Sequence, residues 1–266
     1  IERAVPTACL ANPAEQATQS VLLRIENNFC TLSLDAAGAP LYQRGYKESS
    51  VAAPLRENLA AAFLHLCNWS ANAPLVDPMA GSGTIPIEAA LLAGNRAPGL
   101  HEDFAFLKWP CTPQATWEKL IEEAKDVAIP IEAPIFASDR DEKAIQAISI
   151  NAENAGVRDA IEIVQRPFTQ TAQCLPQAPG LILFNPPYGK RIGKRSPLRS
   201  LFTSLRNTIS TAFEPWDVGM ISPKSTLSDI VEPILKPCSP PIFHGGIRIY
   251  LFGKSSSGIN KSEVVE

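Results

Sequence analysis

The sequence predicts an α/β fold of the Rossmann-like kind, a sheet with helices on both faces. Three observations carry this. Short apolar runs at 74–79, 135–139, 161–164 and 181–184 alternate with helix-period segments, as buried parallel strands do. Asp77-Pro78-Met79-Ala80-Gly81-Ser82-Gly83 joins the first run to an apolar helix, the glycine turn that opens a βαβ unit. Asn185-Pro186-Pro187-Tyr188 stops the last run, because two consecutive prolines cannot donate to a sheet ladder.

The elements follow in order. A chain of 266 residues suits one large domain, or one domain plus a fragment. Residues 1–20 show no clear period. Residues 21–25 and 30–34 read as strands, and Asn27-Asn28 between them suits a hairpin. A lone hairpin is marginal by itself, so these strands are expected to complete a domain outside this chain. Asp35 to Gly38 makes a turn, and Arg44-Gly45-Tyr46-Lys47 is a basic–aromatic cluster. Pro54 suits the first turn of a helix in which Leu55, Leu59, Ala62, Phe63 and Leu66 recur at helical spacing. The strand at 74–79 and its glycine turn lead into a helix at 85–93, with Pro86 in its first turn and Gly94 as its stop.

Residues 95–133 then interrupt the alternation. They read as an insertion holding a Phe104/Phe106/Trp109 cluster and a helix at 114–127. The second strand is 135–139. Asp141 caps the next helix, 142–155, which Gly156 stops. Strands at 161–164 and 181–184 follow, then a helix at 198–213, a strand at 216–221, a helix at 226–235 and final strands within 241–252, bent at Gly245-Gly246. Residues 255–266 are polar and read as a disordered tail.

Composition narrows the function. Net charge is −3 and the pI about 5.7, so any nucleic-acid contact must come from a local patch. The six cysteines form no CxxC pair and histidines number three, which argues against a zinc site or a disulfide framework. Scattered reduced thiols fit an intracellular, cytoplasmic protein. No apolar run approaches the ~18 residues a membrane span needs.

Four constellations carry chemistry, each beside a plainer reading. The glycine turn lets a ligand approach the backbone, and Asp77 sets a carboxylate there that suits a ligand ammonium. The turn lacks both the dinucleotide fingerprint and the P-loop lysine; its plain reading is a packing turn. Asp139, at the end of the second strand, can accept hydrogen bonds from ribose hydroxyls, or it can assist the helix cap. Asn185 and the Pro186 carbonyl can accept from an exocyclic amine while Tyr188 stacks on the base, an interaction worth ~1–3 kcal/mol; otherwise this is a proline-rich turn. Lys190, Arg191, Lys194 and Arg195, followed by Arg199 and Arg206, form a basic run in an acidic chain. It is either a solvated face or a phosphate-binding patch.

Together, DPMAGSGTIPIEAA at 77–90, ASDRDEKAIQAISINAENAGV at 137–157 and NPPYGKRIG at 185–193 resemble the THUMP-linked class I RNA methyltransferases. LDAAGAPLYQRGYK at 34–47 and APLRENLAAAFL at 53–64 resemble that group's lead-in, so the likeness covers about 20–253. It is strongest to the enzymes that methylate guanine N2 in 23S-type ribosomal RNA, a group earlier named as N6-adenine-specific DNA methylases. The resemblance implies a seven-stranded class I methyltransferase sheet preceded by a short hairpin or linker. It implies S-adenosylmethionine held by Asp77, Pro78, Ala80, Gly81, Gly83, Asp139 and Asn185, and a flipped target base held by Asn185, Pro186, Pro187 and Tyr188. RNA, with ribosomal RNA foremost, would be the partner, contacted through Lys190, Arg191, Lys194 and Arg195, with no metal and no membrane. Residues 1–50 would be the tail or linker of a THUMP-type RNA-binding domain, and 51–254 the catalytic domain.

One stretch departs from the group. Gln165-Arg166-Pro167-Phe168 stands where many such enzymes place an acid near the cofactor's adenine amine. Arg166 cannot accept that bond, so adenine is expected to rest on backbone and Phe168, or to bind weakly. Two alternatives stay open: methylation of adenine N6 in DNA, and a non-catalytic RNA-binding module with a degenerate pocket. A dehydrogenase is disfavoured by the missing fingerprint.

Overall fold

The computed structural model describes residues 19–48, 55–100, 102–188, 195–225 and 227–254, without the side chains of Arg195 and Ser196. The readings of Pro54, Lys190, Arg191, Lys194, the Arg195 side chain and the 255–266 tail lie outside these residues.

Strands β1 (Val21–Glu26) and β2 (Phe29–Leu34) form the expected antiparallel hairpin. Asn27 and Asn28 both take positive φ, 49° and 65°, as a tight two-residue connection requires. Its register sets Val21, Leu23 and Ile25 opposite Leu34, Leu32 and Cys30, so one face is wholly apolar, and all six residues are exposed. After the hairpin, Asp35 Oδ1 accepts from the Ala37 and Gly38 amides at 3.0 and 3.2 Å, closing the turn.

The main sheet joins β3 (Leu75–Asp77), β4 (Ile135–Asp139), β5 (Ile161–Gln165), β6 (Leu181–Phe184), β7 (Asp217–Ser222), β8 (Lys236–Pro237), β9 (Ile242–His244) and β10 (Ile247–Lys254). Its path is β5-β4-β3-β6-β7-β10-β8, seven strands as expected, and β9 pairs with β10 as an eighth. The first five run parallel and β10 is antiparallel to β7. Strand order reverses between β3 and β6, where an open α/β sheet forms its crevice at the carboxyl ends. The glycine turn and the Asn185 turn leave from those two adjacent strands.

Alternation along the strands sends residues to two cores. Leu75, Leu181, Leu183, Ile221 and Leu251 pack on one face with residues of α1 (Glu57–Leu66), α2 (Thr84–Ala93) and α4 (Glu142–Asn154). Val76, Ile182, Phe184, Met220 and Phe252 pack on the other with α5 (Arg195–Thr211) and α6 (Ser228–Val231). The helices α2, α4 and α5 and their intervening strands lie close to their predicted bounds.

Several details differ from expectation. In α1 the buried stripe is Glu57, Ala60, Phe63 and Leu64, while Leu66 is exposed. α6 is only four residues long, since Pro233 restricts Glu232 and supplies no amide. The insertion carries α3 (Gln114–Asp126), as expected, but its aromatic cluster is Phe104, Phe106 and Trp117, with ring centroids 5.3–5.6 Å apart. Trp109 instead donates Nε1–H to Gln19 at 2.5 Å. Backbone bonds from Ala105 and Phe106 to Ala37 and Ala36 dock the insertion on the post-hairpin turn.

The basic–aromatic cluster turns inward. Arg44 Nε donates to both Glu88 oxygens at 3.0 Å, and the Tyr46 hydroxyl donates to Oε1 at 3.0 Å. Lys47 Nζ sits 3.5 Å from Glu57 and donates to the Leu55 carbonyl at 2.9 Å. Burial raises the Glu88 pKa and the Arg44 guanidinium opposes that shift. This strap is a buried network, unlike the solvated Arg24–Glu26 pair on the hairpin. Glu88→Ala is expected to cost roughly 2–4 kcal/mol, because it strands two donors. Arg24→Ala should cost about 0.5 kcal/mol or less. Urea unfolding checks this; equal small losses would show that the strap is held by something else.

Candidate functional site

The site is built where β3, β4 and β6 end. Asp77 closes β3 and is 1% exposed; its Oδ1 accepts from the Met79 amide at 3.1 Å. Burial, reinforced by the nearby Asp139 carboxylate, holds its pKa well above the usual carboxylate range, against the pull of the Met79 bond. An opposite charge brought next to it would let it ionise.

The turn that follows is tied to β4. The Ala80 amide donates to the Ser138 carbonyl at 3.0 Å, and the Gly81 amide to Asp139 Oδ2 at 3.1 Å. Asp139 Oδ1 accepts from the Asp141 amide at 3.0 Å, and Asp141 Oδ1 from Lys143 at 3.0 Å. Asp141 is therefore the α4 cap, as expected, and Asp139 also braces the turn. Each Asp139 oxygen keeps a further acceptor position, and the residue is partly exposed.

Gly83 has a packing role. Its φ is +83°, and a Cβ there would lie 3.0 Å from Ile148 Cγ2 and 3.3 Å from Ile148 Cα. Only glycine lets α2 start that close to α4. Gly83 thus packs the turn against α4, and Gly81 directs its amide to Asp139. Pro78 and Ala80 are buried between these groups.

Sequence reasoning missed Asn151. This α4 residue is fully buried and donates Nδ2–H to the Ser82 carbonyl at 2.9 Å, fixing the turn from below. The available signal was a polar residue within the apolar stripe Ala144, Ala147, Ile148, Ala152.

On the neighbouring strand, Asn185 follows Phe184 of β6. Asn185 Oδ1 is buried without a hydrogen-bond partner among the described residues. Such an acceptor is costly unless a donor arrives. Pro186 is buried, Pro187 exposed, and Tyr188 half-buried against the first core. Burial raises the Tyr188 pKa, partly offset by its hydrogen bond with the Asn185 side chain, so the phenol stays neutral at pH 7. Phe168 does not serve as expected: it is buried against Phe184 and Phe213, at 5.9 and 5.7 Å between centroids. Its ring belongs to the second core. The Arg166 amide donates to the Asp139 carbonyl at 2.8 Å, linking β5 to the same edge. Arg199 and Arg206 lie exposed on α5, two turns apart.

Two concavities, of about 200 and 500 Å³, lie elsewhere, around Arg96 near the ends of α2 and α4; neither is lined by a residue of this edge. Among the described residues, no group of three His, Cys, Asp or Glu could hold a metal, and no helix is long and apolar enough to cross a membrane.

Residues 44–234 match the family model described as RMKL-like, methyltransferase domain. A Marinomonas protein named ribosomal RNA large subunit methyltransferase K/L is 33% identical over 263 residues, covering 95% of this chain and 36% of its own. SMU.472, a candidate methyltransferase solved with S-adenosylhomocysteine, superposes with a TM-score of 0.79 at 26% identity, over 91% of this chain and 63% of its own. A Listeria monocytogenes structure, named for N6-adenine-specific DNA methylation on prediction, gives 0.74 at 30% identity, over 87% and 60%. The chain spans between about a third and three-fifths of the curated relatives it matches.

Two stability outcomes follow from the site's polar groups. Below the ordinary carboxylate pKa, both folded and unfolded states hold the Asp77 proton, and its ionisation contributes nothing to stability. As pH rises, the unfolded chain releases that proton first, so stability falls until the raised folded pKa is passed. Asp77→Asn should therefore melt above the wild type at pH 8, with a gap that closes toward pH 4. Asn151→Ala should cost ~1–3 kcal/mol by orphaning the Ser82 carbonyl. Thermal melts across pH check both, and a pH-independent Asp77→Asn difference would refute the burial argument.

Proposed function

We propose that this chain, which belongs to the RMKL-like methyltransferase family, methylates an exocyclic base amine in RNA with S-adenosylmethionine as donor. The observation that carries this reading is Asn185 Oδ1, an acceptor without a partner among the described residues, one strand away from the buried Asp77 carboxyl and the glycine turn. An amine hydrogen fits the first and an ammonium the second.

The residues present suit the donor. Asp77 would take its ammonium, the backbone around Pro78, Ala80 and Gly81 would approach its methionine part, and Asp139 would use its remaining acceptor positions for ribose. S-adenosylmethionine supplies an electrophilic methyl on a sulfonium. The protein's own share is placement: Asn185 Oδ1 and the Pro186 carbonyl accept from the amine, and Tyr188 covers the base. Positioning dominates such a transfer, so no strong general base is needed, and the amine proton leaves to water. The bound product in SMU.472 supports the same donor here.

The relatives named as large-subunit enzymes favour ribosomal RNA, and guanine N2 is the amine we infer. The Listeria name favours adenine N6 in DNA as a second reading. Lys190, Arg191, Lys194 and Arg195 are proposed as phosphate contacts. The uncovered apolar face of β1–β2 supports reading 1–50 as the attachment of an RNA-binding domain and 51–254 as the catalytic unit.

Calorimetry with S-adenosylmethionine should give a measurable heat for the wild type and none for Asp77→Ala. Asn185→Ala should lower methyl transfer about a hundredfold or more. A modification map of ribosomal RNA with and without the gene should lose one N2-methylguanine. An unchanged map would remove the ribosomal assignment, and tritium transfer to duplex DNA in preference to RNA would select the second reading.

A further inference from the structure

β10 pairs Phe252 with Met220 and Tyr250 with Ser222. Met220 lies beside Phe184, the residue before Asn185. Residues that precede Tyr250 therefore project beyond the carboxyl edge, on the side of the Asn185 turn. There the chain reverses at Gly245-Gly246, both at positive φ (56° and 82°), and β9 runs back along β10.

Alternation divides this hairpin. Ile242 and Ile249 face each other and pack into the core that Tyr188 also touches. Phe243 and Arg248 face each other on the opposite side. Phe243 is 67% exposed, and the Arg248 guanidinium stands 5.3 Å from its ring centre. Tyr250 comes next on that side, with Lys224 Nζ 6.0 Å from its ring. Neither cation is paired with a carboxylate among the described residues. Arg248 stands four residues beyond the level of Phe184, ~13 Å, and two strands across, ~10 Å.

We propose that this side of the β9–β10 hairpin is a binding surface for unpaired RNA nucleotides flanking the target base; it rests on the reading that the chain methylates RNA. An exposed ring offers a base its π face whatever the sequence. The planar Arg248 side chain can lie over the base or reach a phosphate. Lys224 adds a second positive charge beside it. A cross-strand pair that only steadies the hairpin would leave nothing for RNA to lose.

The test uses Phe243→Ala, Phe243→Leu and Arg248→Ala in the full chain, with a labelled mixed-sequence single-stranded RNA oligonucleotide and S-adenosylmethionine as probes. Both Phe243 variants should bind RNA roughly five- to a hundredfold more weakly. Arg248→Ala should flatten the slope of log affinity against log salt by about 0.7. Cofactor affinity should stay at the wild-type value in all three. Wild-type RNA affinity and slope in the variants would overturn this surface alone. So would a loss that tracks a lowered Tm and is absent in Phe243→Leu. A wild-type chain that binds no RNA would overturn it together with the reading beneath it.

Discussion

The Asp139 carboxylate sets the geometry on which the site depends. One oxygen takes the Gly81 amide from the turn after β3, the other takes the Asp141 amide at the start of α4. Two segments more than fifty residues apart are joined by one side chain, and the Ala80–Ser138 bond runs beside it. Parallel strands end with unsatisfied backbone groups, and here the Ser138 carbonyl near the end of β4 accepts from the Ala80 amide in the turn after β3. The insertion at 95–133 falls between β3 and β4, which this clamp and the parallel ladder below it join.

Around the clamp the protein tolerates polar groups that a plain core would exclude. Asp77 is buried with its pKa driven up, Asn151 is buried to hold a carbonyl, and Asn185 keeps an oxygen unpartnered among the described residues. The first is costly to ionise in the isolated chain, and the third leaves an acceptor without a partner among the described residues. Asn151 is different: its bond is complete, and it serves by keeping the glycine turn in place.

Much of this was legible from residue order. Strand ends at Asp77, Asp139 and Asn185 followed from apolar runs meeting carboxylates, glycines or prolines, because local chemistry ends a strand wherever the backbone cannot continue the ladder. Other details were not. Trp117 rather than Trp109 completes the aromatic cluster, since a helical ring can fold back on residues eleven and thirteen positions earlier. Phe168 belongs to the core because its neighbours Phe184 and Phe213 come from other elements. The Arg44 cluster faces inward because Glu88 waits on a helix forty-four residues away.

Sequence by itself determined the α/β class, the strand–glycine turn–helix opening, the Asn27-Asn28 hairpin and the residues that gather at the carboxyl edge. Each depends on backbone preferences and apolar periods that neighbours along the chain already express. Tertiary structure alone decided that Gly83 packs α2 against α4, that Asp139 braces the turn, that Asn185 has an open acceptor among the described residues and that Phe243 and Arg248 share one outward face. Those outcomes depend on which strands become neighbours, and strand order is set by long-range burial that no local stretch records.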